Sequence, residues 1–194
     1  MAEEPVDGAI LIGDGTLALQ GGLRTIPQHT FIQGMRNSGL NPQYSPLTPY
    51  GVFSGGYQLD EQLHVSVDFA YGIETTGLTG GDAQNKNFGL LFCLDGAFFQ
   101  RRWITLYGGG GIGYSINTFS RAGSDTESNS SAGLVKLGAR IALNKKLALV
   151  IEDRYIFSSA YWPAAQATMN TGGNVFTVGL MLHFFSGKEE HPMR

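Results

Sequence analysis

His64, Ser66 and Glu74 are the residues of this 194-residue chain whose types and spacing come nearest to a reactive arrangement. A histidine beside a serine can draw the proton from the hydroxyl and make it a nucleophile. Alternation along an extended strand puts His64, Ser66 and Glu74 on one face. Other chemistry is poorly supported. The glycines at 108 to 111 and 113 lack the Lys-Ser/Thr and the helix signal that a phosphate loop needs. His29, His64, His183 and His191 are scattered without metal-ligand spacing. The single cysteine, Cys93, excludes an intramolecular disulfide and a cysteine-based metal site, and reads as a small buried hydrophobe.

A second constellation is electrostatic. Asp68, Glu74, Asp95, Lys136, Arg140, Glu152 and Arg154 all fall on the polar parity of strand-like segments, three basic against four acidic. Side chains of both signs gathered on one concealed face must pair, because an unpaired buried charge is expensive. These residues are therefore expected to form an internal ion-pair network that fills the space they share.

The elements that position them follow from periodicity. In 62 to 74, Leu63, Val65, Val67, Phe69, Tyr71 and Ile73 alternate with His64, Ser66, Asp68, Ala70, Gly72 and Glu74. The same rule holds in 87 to 99, 103 to 117, 132 to 143 and 175 to 184. In 147 to 157 it places Asp153 on the apolar face, which requires a bulge that resets parity or a position near the strand's polar end. Eight strands are expected, at 9 to 21, 48 to 59, 62 to 75, 87 to 99, 102 to 118, 132 to 144, 146 to 158 and 174 to 185. Tight turns at Asp60-Glu61-Gln62, Gln100-Arg101-Arg102 and Asn144-Lys145-Lys146 alternate with long loops at 22 to 47, 76 to 86, 119 to 131 and 159 to 173. That asymmetry is the layout of a transmembrane β-barrel.

Composition allows this reading. Mean hydropathy is -0.05 and no run approaches the length of a membrane helix, but a barrel needs apolar residues only at every second position. A soluble barrel, such as a lipocalin-like binder, would show water a minority face rich in Lys, Glu, Gln and Thr. Here that face is largely Gly, Ala, Ser and Thr, which suits a narrow lumen. Aromatic residues fall in two groups, Phe98, Trp103 and Phe184 near the turns, and Tyr50, Tyr71, Phe88, Tyr155, Phe157 and Phe176 near the loops, as two interfacial girdles require. A net charge of -3 gives no field for nucleic acid. The opening residues Met1 to Pro5 lack the basic and apolar regions of a signal peptide, so export implies that one was removed.

The chain resembles the small eight-stranded outer-membrane barrels of Gram-negative bacteria, the OmpA-like superfamily. The likeness rests on Gly55-Gly56-Tyr57-Gln58-Leu59, the run from Leu106 to Tyr114, Glu152-Asp153-Arg154-Tyr155 and the stretch from Val178 to Phe184. It implies an all-β, antiparallel up-and-down transmembrane barrel over about 9 to 185, with periplasmic turns, extracellular loops and a short tail at 186 to 194. It also implies an outer-membrane monomer in contact with lipid and lipopolysaccharide, with Phe184 or Phe185 read by the barrel-assembly machinery. No cofactor or metal follows from it. His64-x-Ser66 with Glu74 is similar to the arrangement in outer-membrane lipid A deacylases, at a different Glu spacing. The leading expectation is a non-enzymatic scaffold whose loops, with Tyr161 and Trp162, contact a ligand; a small pore is the alternative.

Overall fold

The computed structural model describes residues 15–26, 32–33, 36, 42–44, 47–78, 81–101, 103–121, 123–144, 146–162 and 167–184. They form β1 (Gly15–Thr25), β2 (Gln43–Tyr44), β3 (Leu47–Gln58), β4 (Leu63–Gly77), β5 (Ala83–Arg101), β6 (Ile104–Arg121), β7 (Ser124–Ala142), β8 (Leu147–Trp162), β9 (Ala167–Asn170) and β10 (Gly173–Phe184). β1, β3 to β8 and β10 pair antiparallel in sequence order, and β10 pairs with both β8 and β1, which closes a ring of eight. β2 and β9 extend β4 and β8 beyond it.

The register fixes the tilt. The path of paired residues from Gly15 runs through Tyr57, Val65, Leu94, Gly110, Val135, Tyr155 and Asn174 and returns to β1 at Thr25, ten residues further on. A stagger of that size in eight strands tilts them roughly 45° to the axis and leaves a lumen that side chains can fill.

Each strand is inverted relative to a soluble sheet. On β4, Leu63, Phe69 and Tyr71 are exposed, whereas His64, Ser66, Asp68, Ala70 and Glu74 are buried. On β6 and β7 the outward residues Ile112, Val135 and Leu137 are 75%, 51% and 63% exposed. Apolar side chains on these strands thus face away from the protein, while Asp68, Glu74, Lys136 and Arg140 face in. Tyr71, Phe88, Tyr155, Phe157 and Phe176 lie outward on the long-hairpin side, and Phe98, Trp103 and Phe184 outward near the turns. Tyr50 departs from the expected girdle, because its parity on β3 turns it into the lumen, where it is buried.

The turns are built alike. The Asp60 carboxylate accepts the N–H groups of Gln62 and Leu63, both at 2.7 Å, and the Asn144 amide oxygen accepts those of Lys146 and Leu147 at 2.8 and 2.9 Å. The middle connection departs from the expected Gln100-Arg101-Arg102, because β5 runs on to Arg101 and β6 starts at Ile104. A register shift between Ala97 and Phe99 lets β5 run on through Arg101.

The loop expectations need correction. Residues 119 to 131 are mostly strand, since β6 runs to Arg121 and β7 starts at Ser124, and 76 to 86 likewise narrow to a short connection between Gly77 and Ala83. These segments lack a hydrophobic period, but their backbones pair with each other, from Phe119 with Thr126 to Tyr114 with Ser131. β1 ends at Thr25, four residues beyond the expected limit. Residues 1 to 14 and the tail at 185 to 194, with Phe185, lie outside the described residues.

Candidate functional site

The lumen holds the chemically distinctive residues. Asp68 on β4, Asp95 on β5, Lys136 and Arg140 on β7, and Glu152 and Arg154 on β8 converge there, all buried. Arg154 Nη1 donates to Asp68 Oδ2 at 2.8 Å, its Nε donates to Glu152 Oε2 at 2.6 Å, and its Nη2 also reaches that oxygen. Lys136 Nζ stands 3.0 Å from Asp95 Oδ1, 3.8 Å from Glu152 Oε1 and 3.9 Å from Asp68 Oδ2. Arg140 Nη2 lies 3.4 Å from Asp95 Oδ2. Each buried charge has opposite charge beside it, the condition for keeping charges out of water.

Three further residues knit the network, and the sequence reading did not place them in it. Tyr107 donates its hydroxyl to Glu152 Oε1 at 2.5 Å, and its ring lies 4.3 Å beneath the Arg140 guanidinium. His64 Nδ1 is 3.2 Å from Arg140 Nη2 and 3.5 Å from Asp95 Oδ2, and His64 Nε2 meets Thr16 Oγ1 at 2.9 Å. Glycines make the room. A Cβ on Gly138 would stand 2.5 Å from the Tyr107 ring, and one on Gly109 would stand 2.3 Å from an Asp95 oxygen.

This arrangement breaks the nucleophile reading. Ser66 donates to Asp68 Oδ1 at 3.0 Å, and His64 is engaged with Thr16 instead. Glu74 is buried on the same face of β4, six residues beyond Asp68. At about 3.3 Å per residue that separates it by roughly 20 Å from the cluster it was expected to join. Cys93 is buried, its thiol 3.6 Å from Asp68 Oδ2.

Toward the long hairpins, an apolar collar follows. Ala70, Leu134 and Ile156 lie two residues beyond Asp68, Lys136 and Arg154 on their strands, and Val52, Leu91 and Val175 join them in one buried cluster. Beyond it the lumen is polar but mostly uncharged. Asn87 donates to Ser115 and Asn117 at 2.6 and 2.7 Å. Arg24, which sequence placed in a loop, is buried there, donates to the Thr171 carbonyl at 2.9 Å and lies 5.4 Å over the Tyr50 ring. On the outside, Tyr161 is exposed on the β8–β9 hairpin, next to Trp162 at the end of β8. Phe184 ends β10 on the outer face.

A closed eight-stranded barrel with an apolar outer wall and an ionic, side-chain-filled lumen is an integral membrane protein of the bacterial outer membrane. The chain belongs to the outer membrane protein beta-barrel domain family, whose model matches residues 34–184. Comparison with curated protein sequences gives no match. Among solved structures it is similar to Neisserial surface protein A (NspA), at 16% identity over 89% of this chain and 97% of that one, with a TM-score of 0.63. OprG from Pseudomonas aeruginosa matches at 16% identity over 94% and 100%, with a TM-score of 0.61. Ail, the attachment invasion locus protein of Yersinia pestis in complex with the heparin analogue sucrose octasulfate, matches at 10% identity over 90% and 100%, with a TM-score of 0.59. At these identities the likeness concerns the fold.

Proposed function

We propose that this barrel is an anchoring scaffold, which holds its long hairpins rigidly at the cell surface for contact with an external ligand. The observation that carries this reading is the buried network around Lys136 and Arg154, which fills the lumen from wall to wall. A water path would have to separate groups that are paired across the barrel, and the apolar collar beyond them offers an ion no partner. Stiff hairpins suit presentation. β6 and β7 stay paired out to Arg121 and Ser124, so their polar ends are carried as a continuation of the barrel wall. Tyr161 and Trp162 remain the contact candidates, because Tyr161 is an exposed aromatic group on a polar hairpin and such groups favour recognition. Phe184, outward at the end of the closing strand, is the residue proposed to be read by the assembly machinery.

Reconstitution into planar bilayers tests the scaffold against the pore. Folded, heat-modifiable protein should give no unitary openings, and a steady conductance would replace this reading with that of a small pore. Binding of cells to host matrix or to neighbouring cells should fall when residues 119 to 131 are shortened to a two-residue Asn-Gly turn, with folding unchanged.

A further inference from the structure

Asp153 is the anomaly of the outer wall. It is exposed, and its register is unbroken, paired with Leu137 on β7 and Phe176 on β10, so no bulge turns it inward. Nor is it at a polar end. The outward series on β8 reads Leu147, Leu149, Ile151, Asp153, Tyr155, Phe157. Six residues from the start of the strand, at about 3.3 Å each and 45° of tilt, place it about 14 Å above the turn side of an apolar band roughly 25 Å tall. Asp153 therefore faces acyl chains near the bilayer midplane. Among the described residues no hydrogen bond or ion pair reaches its carboxyl group.

Acyl chains offer no donor at that depth, so the partner must be protein. Leu137 and Phe176 beside Asp153 are 63% and 54% exposed, and Tyr155 above it 40%, an apolar surround open to contact. We propose that Asp153 is the centre of an intramembrane interface with a second copy of this chain. Two copies inserted in the same direction are related by a two-fold axis along the membrane normal, which brings equal depths together. Asp153 of one copy then meets Asp153 of the other. Two carboxyl side chains can share a hydrogen bond across that axis, and the apolar residues around them seal it. This departs from the monomer expected from sequence. It stands independently of the scaffold reading, since the outer wall can associate whether or not the lumen conducts.

The test uses the full chain in lipid vesicles. Cys93 is buried, so a cysteine introduced by Ser124→Cys at the exposed hairpin tip takes the donor or acceptor dye. Energy transfer between copies should exceed that of randomly placed barrels and should be competed away by unlabelled wild type. Asp153→Leu should weaken association by about tenfold, while Asp153→Asn, whose amides can also pair, should stay within about threefold. Heat-modifiable migration checks that both variants fold. Transfer no greater than random, or equal association of wild type and Asp153→Leu, overturns the proposal. So does an Asn variant that dissociates as fully as the Leu variant.

Discussion

Glu152 and Asp153 are consecutive carboxylates on β8, and they stand on opposite walls of the barrel. Glu152 points into the lumen, where Tyr107, Lys136 and Arg154 surround it. Asp153 points into the lipid between Leu137 and Phe176. Both leave bulk water, yet only the first finds charge and donors to replace it. Depth in a membrane thus does not by itself set the cost of an ionisable group. What decides is whether neighbouring strands deliver a partner, and the inner wall of a narrow barrel brings partners from four strands within reach while the outer wall brings none.

The largest break in that comparison comes from removing the hub on the inner side. Arg154→Met should leave Asp68 and Glu152 without their closest cation. Loss of one partner from a buried ion pair costs roughly 3–5 kcal/mol. Urea unfolding in lipid vesicles, read by heat-modifiable migration, should show a midpoint lowered accordingly. An unchanged midpoint would mean that Lys136 alone can hold both carboxylates.

A smaller break isolates the aromatic member of the network. Tyr107→Phe keeps the ring beneath Arg140 and removes the hydroxyl from Glu152. A buried acceptor that loses a donor costs about 1–3 kcal/mol. Gly138→Leu attacks the same contact by volume, since its side chain would need the space of the Tyr107 ring. Overpacking of a filled interior costs about 1–3 kcal/mol, measured by the same unfolding transition. If Tyr107→Phe is neutral while Gly138→Leu is not, packing and not the hydrogen bond holds this corner of the lumen.

The two walls also differ in how much of them could be read from sequence. Parity alone sorts Leu63, Val65 and Phe69 from His64, Ser66 and Asp68, because a two-residue period survives whatever the register between strands. Membership of the lumen followed from it, but contacts did not. Glu74 and Asp68 share a face, which parity cannot tell apart, but six residues of strand rise along β4 set them far from each other. Tyr107 lies on the polar parity, but its meeting with Glu152 depends on the pairing of β6, β7 and β8. Arg24 is not legible as a lumen residue because Gly21-Gly22 signals a strand end, whereas the barrel keeps that pair within β1. The hairpin from Phe119 to Ser131 carries no strand signal in sequence, because both of its faces are polar and leave no hydrophobic period to detect.

The smallest expected effect has the opposite sign, and it sharpens the contrast most. Asp153→Leu removes a group that the lipid cannot solvate and adds one that it can. Even Arg or Lys at the midplane of a barrel's lipid face costs only ~2–4 kcal/mol, and Asp costs less, so the gain should be about 1 kcal/mol. It should appear at high dilution in lipid, where barrels are apart. At high density, where wild-type copies can pair through Asp153, the gain should shrink or reverse, because the Leu variant gives up the shared hydrogen bonds. Unfolding midpoints measured at two protein-to-lipid ratios decide this. A Leu variant less stable than wild type at high dilution would mean that Asp153 finds a partner within its own barrel, and the two walls would then obey one rule.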